Sequence, residues 1–145
     1  MHCEIIQTEI DAAQLQKMFD NTQSIAVIGC SPKPEKDSNK VAKYLVDSGF
    51  EMVPVYPKHE QILGQKVYRS LEEIEKKIDM VVVFRKPEVV ATVVDAAIKK
   101  GNINYLWTQI GIVNQEAEKK AQENGMVTVS NRCVMVEHRN LKDKE

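Results

Sequence analysis

Cysteine is scarce: Cys3, Cys30 and Cys133 are the only three in 145 residues, odd in number and far apart. That spacing speaks against a disulfide framework or a CxxC metal site and fits a reducing cytoplasm. An excess of either charge is missing too. The 20 lysines and arginines nearly cancel 21 aspartates and glutamates, leaving a net charge of −1, so the basic stripe of a nucleic-acid binder does not show. No apolar run is long enough to cross a bilayer. The opening MHCEIIQTEIDAAQ lacks the basic-then-apolar layout of a signal peptide. His2, His59 and His138 fall in no metal-ligand spacing such as HExxH, and Ser31 lacks the GxSxG setting of a nucleophile elbow. These absences predict a cytoplasmic protein with no nucleic acid or membrane among its partners and no metal site.

What the sequence does contain is alternation. Apolar runs at 24–29 (SIAVIG), 50–55 (FEMVPV), 79–84 (DMVVVF), 104–110 (NYLWTQI) and 126–130 (MVTVS) read as strands. Several are continuously apolar and rich in Val and Ile, as in a parallel sheet covered on both faces. Helical patterns lie between them. Ser38 or Asp37 can cap a helix built on Val41, Tyr44 and Leu45, with Gly49 at its end. SLEE from Ser70 has capping-box spacing to Glu73. Pro87 suits a first helical turn and Gly101 follows that helix. Asn114 can cap QEAEKKAQEN, which stops at Gly125. A further amphipathic helix is expected over about 8–19, with Ile10, Leu15, Met18 and Phe19 as its stripe, and the charged tail EHRNLKDKE is expected to fray at its end. The fold class that follows is α/β: a Rossmann-like three-layer fold, one domain over 1–145 with its core at about 24–141. Its mainly parallel five-stranded sheet has helices on both faces, in the expected order 3-2-1-4-5.

That order would place a ligand crevice at the carboxyl ends of the first and fourth strands. One lip is then the loop from Gly29 to Asn39 and the other runs from Gln109 through Gly111 to Asn114. At the first lip the dinucleotide fingerprint expects three glycines, and only Gly29 is present; Cys30, Ser31 and Pro32 replace the rest. Ser31 and Ser38 offer hydroxyls, and the helix start at Ser38, Asn39 and Lys40 offers free N–H groups and a positive dipole end that suit a diphosphate. An ordinary ligand-free turn is the alternative. After the second strand, an NAD site would carry an acid for the ribose hydroxyls. Here stand Tyr56, Pro57, Lys58 and His59. Lys58 suits an extra phosphate on the ribose or stays solvated, and Tyr56 or Pro57 can pack on an adenine. Arg85 and Lys86 after the third strand can attract phosphate or stay solvated near Glu88, with Phe84 as core or ligand wall. Thr108, Gln109 and Gly111 suit an amide-bearing ligand arm, whereas Trp107 reads as packing. Arg132 can reach the crevice or brace the C-terminal segment. Together these features favour a phosphorylated adenine nucleotide, CoA or NADP, over NAD.

The segments AVIGCSPKPEKDSNKVAKYL, VPVYPKHEQILGQKVYRSLEEI, DMVVVFRKPEVV, LWTQIGIVNQEA and NRCVMVEHRNL, in this order and spacing, resemble the CoA-binding domain in its small stand-alone bacterial form. The same domain forms the N-terminal part of the succinyl-CoA synthetase alpha subunit. The resemblance covers about 24–141. It implies binding of CoA or an acyl-CoA, with the glycine turn on Gly29 to Pro32, the basic residue on Lys58 and the fourth-strand loop on Thr108 to Gly111. Where the synthetase has an Asn-Cys pair, Arg132 intervenes between Asn131 and Cys133. The synthetase's phosphorylated histidine belongs to a later domain, so ligase activity is not implied. The expected function is a non-catalytic or regulatory CoA binder. The alternatives are an NADP-dependent oxidoreductase and an interaction protein that kept the fold without the ligand. Cys30 at the crevice mouth could form a mixed disulfide with CoA or simply fill space. Apolar residues on the N-terminal helix suit a homodimer or pad the sheet.

Overall fold

A computed structural model describes residues 10–143; His2, Cys3 and the Thr8 start of the expected first helix lie outside them. Helix α1 (Ala12–Asp20) is capped by Asp11, whose carboxylate accepts the Gln14 N–H at 2.8 Å while the Gln14 side chain accepts the Asp11 N–H at 3.1 Å. The reciprocal bonds satisfy two orphan donors of the first turn, and the stripe of Leu15, Met18 and Phe19 is buried as expected.

Strands β1 (Ser24–Ile28), β2 (Glu51–Val55), β5 (Met80–Val83), β6 (Tyr105–Thr108) and β7 (Val127–Val129) form one sheet in which every pairing is parallel. Alternate residues divide the core. Ile25 and Val27 meet α1, α2 (Asp37–Asp47) and α5 (Val134–Asp143) on one face. Ala26 and Ile28 meet α3 (Pro87–Lys100) and α4 (Gln115–Glu123) on the other. This is the three-layer Rossmann-like architecture the alternation implies. Pro87 does open α3, and Asn114 does cap α4 by accepting the Ala117 N–H at 3.1 Å. The charged tail is helical through Asp143, because Val134 and Leu141 give α5 a buried side; the fraying expected at its very end falls on 144–145, outside the described residues.

The expected strand order is corrected. Counted along the five strands the sheet runs 2-1-3-4-5, not 3-2-1-4-5. β5 pairs with β1 on the side away from β2, Met80 opposite Ile25. The outer edge of β2 is already occupied. There Tyr68 bridges Val55, the Tyr56 N–H donates to the Tyr68 carbonyl at 3.0 Å, and the Tyr68 N–H donates to the Pro54 carbonyl at 3.0 Å. A short hairpin, β3 (Gln61–Ile62) and β4 (Gln65–Lys66), delivers Tyr68 to that edge. The helix expected after Ser70 shrinks to a 3₁₀ turn, Leu71–Glu73, because the Glu73 carboxylate accepts the Arg69 N–H at 3.0 Å and no side chain caps the turn at Ser70.

The 2-1-3-4-5 order moves the crevice. β1 runs into α2 on one face and β5 runs into α3 on the other, so the carboxyl ends part between β1 and β5. The second lip is therefore the Phe84–Pro87 turn, not the loop from Gln109 to Asn114.

Candidate functional site

The two lips nearly touch at Gly29. Its φ is +86°, and a Cβ there would stand 2.8 Å from Arg85 Cδ and 2.9 Å from the Phe84 carbonyl oxygen. A side chain would be strained by the backbone conformation and blocked by the neighbouring strand, so glycine is required twice over. The Gly29 N–H donates to the Val55 carbonyl at 2.9 Å, which ties the turn to β2 as well.

Beyond Gly29 the loop is braced from within. The Ser31 N–H donates to Ser38 Oγ at 2.9 Å, the Lys33 N–H donates to Ser31 Oγ at 3.1 Å, and Asn39 Nδ2 donates to the Ser31 carbonyl at 2.8 Å. Ser31, Ser38 and Asn39 are buried, so they shape the loop. Lys36, not Ser38 or Asp37, holds the N-cap position of α2 and makes no side-chain cap bond, and the N–H groups of Asn39 and Lys40 both donate to the Lys36 carbonyl at 3.1 Å. The dipole end and the N–H groups of Asp37 and Ser38, rather than those of Asn39 and Lys40, are thus left to face an anion, with Lys33, Lys36 and Lys40 exposed around them and Pro32 half-buried. The notion of Cys30 as a thiol at the crevice mouth is corrected. The side chain is fully buried in the core, and burial pushes its pKa up to about 12. A neutral, enclosed thiol is a poor nucleophile.

The β2 rim carries Tyr56, half-buried, and Pro57, Lys58 and His59, all exposed. Among the described residues neither Lys58 nor Arg85 is within ion-pair distance of a carboxylate. Phe84 is half-buried against the α1–α2–α5 side of the core. Gly29, Tyr56, Pro57 and Arg85, all four expected at the site, line one cleft of about 200 Å³. Its floor is apolar, from Ile28, Val55, Leu71 and Val93, and Arg69 joins Arg85 on its wall. Leu71, Val93 and Arg69 were not anticipated from the sequence. The VYRSLEE segment held the signal, but only the hairpin that folds it back onto β2 reveals where it goes. Arg69 Nη1 donates to the carbonyls of Tyr56 at 3.1 Å, Lys58 at 3.1 Å and His59 at 2.8 Å.

The β6–β7 side is different. Thr108 is fully buried, and its hydroxyl has no partner among the described residues. Gln109 Oε1 accepts the Val134 N–H at 3.0 Å, at the start of α5. The Gly111 N–H donates to Asn131 Oδ1 at 2.7 Å. Arg132 donates to the Ile10 carbonyl at 3.2 Å and to Glu137 Oε1 at 3.0 Å, the bracing role. Its own carbonyl accepts the Trp107 Nε1–H at 2.8 Å, and Trp107 is packing, as expected. The side chains of Gln109 and Arg132 are not brought into the cleft.

Residues 23–139 match the protein family described as CoA binding domain. The chain belongs to that family. This CoA binding domain is 34% identical over 126 residues to the uncharacterized protein YneT of Bacillus subtilis, a match covering 87% of the chain and 93% of YneT. It is 30% identical over 119 residues to the alpha subunit of ADP-forming acetate–CoA ligase II from Pyrococcus furiosus, covering 81% of the chain but only 26% of that subunit. The solved structure of a hypothetical protein from Pyrococcus horikoshii OT3 superposes with a TM-score of 0.89 at 41% identity, over 93% of this chain and 94% of that one. The CoA binding domain thus has relatives of its own length and also larger ligases of which it matches a part. Among the described residues no helix is long and apolar enough to cross a membrane, and no group of three or more His, Cys, Asp or Glu could hold a metal.

Proposed function

We propose that the chain binds CoA or an acyl-CoA and holds it without turning it over. The observation that carries this reading is the Gly29–Arg85 crevice, which opens at once onto an uncapped helix start and onto a cleft walled by Tyr56, Pro57, Arg69 and Arg85. The diphosphate would take the N–H groups at the start of α2, with Lys33, Lys36 and Lys40 nearby. The base would lie in the apolar cleft against Tyr56, and Lys58 would meet the extra phosphate on the ribose. The pantetheine arm would cross the end of β5 past Phe84 toward Gly111, where the exposed Ile110 and Val113 offer apolar surface. Kinship with a larger ligase subunit, of which the match covers 26%, supports the binding step more than the chemistry, and the enclosed Cys30 thiol supports a holding role.

A thermal-shift panel of CoA, acetyl-CoA, dephospho-CoA, NADP, NAD and ATP tests this. A ligand at about 100 times its Kd adds roughly 2.7 kcal/mol to stability, or about 5–10 °C of melting temperature at this chain length. CoA and acetyl-CoA should give that shift and NAD none. No shift with either CoA species, or a shift with NADP alone, would overturn the reading.

A further inference from the structure

Three main-chain carbonyls on the β2 rim converge on a single nitrogen. Arg69 Nη1 lies 3.1 Å from the Tyr56 carbonyl oxygen, 3.1 Å from that of Lys58 and 2.8 Å from that of His59. Converging carbonyl dipoles repel one another unless a cation sits at their focus, and a guanidinium donates at that focus with a charge attached. The backbone bends to make this arrangement. His59 has φ 69°, in the left-handed region that non-glycine residues rarely adopt. Arg69 is itself anchored, since its N–H donates to the Glu73 carboxylate at 3.0 Å and its neighbour Tyr68 is bonded into the edge of β2. The Lys58 ammonium has no carboxylate partner among the described residues and Lys58 is exposed, so its direction depends on the backbone beneath it.

We infer that Arg69 is a positioning residue. It clamps the Tyr56–His59 loop in one shape, and that shape, more than the Lys58 charge alone, sets the discrimination for a ribose phosphate. The inference rests on the proposed CoA site and deepens it, because it assigns specificity to a residue one hairpin away from the phosphate-binding lysine. A lysine at position 69 keeps the charge, but its single ammonium on a flexible stem lacks the planar fork.

Two readouts test it on the full chain. The first needs no ligand. The Val67 N–H donates to the Glu60 carbonyl at 2.9 Å, beside the clamped carbonyls, so its hydrogen exchange reports opening of the loop. In Arg69→Ala it should exchange roughly tenfold faster or more, given the strength of charge-assisted bonds, while the Val82 amide in the sheet stays protected. The second readout is the ratio of CoA to dephospho-CoA affinity in wild type, Arg69→Ala, Arg69→Lys and Lys58→Ala. The Arg69→Ala ratio should fall toward that of Lys58→Ala although Lys58 is intact, and Arg69→Lys should not restore it. Unchanged Val67 exchange, an unchanged ratio, or full rescue by lysine would each overturn the inference while leaving the CoA site standing. A wild-type protein that binds neither compound would instead overturn the CoA reading, and the specificity role with it.

Discussion

On the β6–β7 half of the carboxyl rim, Gln109, Asn131 and Arg132 give their polar atoms to Val134, to Gly111, and to Ile10 and Glu137. On the β1–β2–β5 half, Lys58 and Arg85 meet no carboxylate among the described residues, and the start of α2 receives no side-chain cap. The residue types on the two halves are alike, and both suit a ligand in principle. What separates them is whether the polar atoms are already engaged. A ligand taken by Gln109 or Arg132 would first have to displace an internal hydrogen bond with a net contribution of about 0.5–1.5 kcal/mol, more where a charge is involved. A ligand taken by Lys58 displaces only water. The engaged polar groups therefore read as the scaffold that fixes α5 and the β6 loop, leaving that loop only its apolar Ile110 and Val113 for a ligand arm, and the other half reads as the polar surface that binds.

Gly29→Ala should break the comparison most severely, since Gly29 belongs to both roles at once. An alanine at φ +86° costs about 1–3 kcal/mol in backbone strain. Its methyl group also stands 2.9 Å from the Phe84 carbonyl oxygen, a main-chain atom that cannot swing aside. The expected result is a melting temperature lower by several degrees together with loss of the CoA-dependent shift. A variant that melts and binds like wild type would mean the lips are not held together as described.

Next comes a pair of substitutions that ought to separate cleanly. Gln109→Ala leaves the Val134 N–H buried without its acceptor, at a cost of about 1–3 kcal/mol. It should lower the melting temperature while changing CoA affinity little. Lys58→Ala should do the opposite. Stability of the free protein stays within about 0.5 kcal/mol, as for most surface substitutions. CoA affinity falls by roughly tenfold, in line with a charge-assisted bond to phosphate, and dephospho-CoA affinity holds. Calorimetric titration beside a thermal melt reads both quantities, and equal losses for the two ligands in Lys58→Ala would remove its assigned phosphate contact.

Most of the fold was legible because it depends on local pattern. The Val- and Ile-rich runs from β1 to β7 could hide only in a sheet covered on both faces, and Pro87 and Asn114 marked helix starts through chemistry that acts within one turn. The strand order was not legible, because it turns on a long-range event. A two-plus-two-residue hairpin returns Tyr68 to the edge of β2 and closes the position where β5 would otherwise pair. Ile62 and Gln65 give no alternating run long enough to announce it. The candidate cleft was legible to a similar degree. Gly29, Tyr56, Pro57 and Arg85 do share a cleft, since each follows directly from a strand end. Whether a polar side chain is free depends on what packs beside it, which is why Gln109 and Arg132 looked equal to Lys58 until α5 was in view. Arg69 was missed for the same reason as the hairpin that carries it.

The amino end of the sheet offers a third and smallest test, because there an acid is engaged by the main chain just as Gln109 is at the opposite end. Asp79 Oδ2 accepts the N–H of Gln23 at 2.8 Å and of Ser24 at 3.2 Å, with Lys77 Nζ 3.6 Å from Oδ1. Burial alone would raise its pKa, but the two N–H donors and the Lys77 charge outweigh burial and hold the carboxyl below its ordinary value. The unfolded chain therefore takes up this proton first as the solution is acidified. The Asp79 contribution is complete above the unfolded value of about 3.9 and is lost as pH falls through the lower, folded one. Melting temperatures of wild type and Asp79→Asn should differ most near neutral pH and converge as the pH drops below about 4, and CoA affinity at neutral pH should be the same in both. A gap that stayed constant into acid would show that Asp79 acts through its shape rather than its charge. A gap in affinity at neutral pH would show that the two ends of the sheet are not independent, and that the division between scaffold and binding surface does not follow the hydrogen bonding seen at the rim.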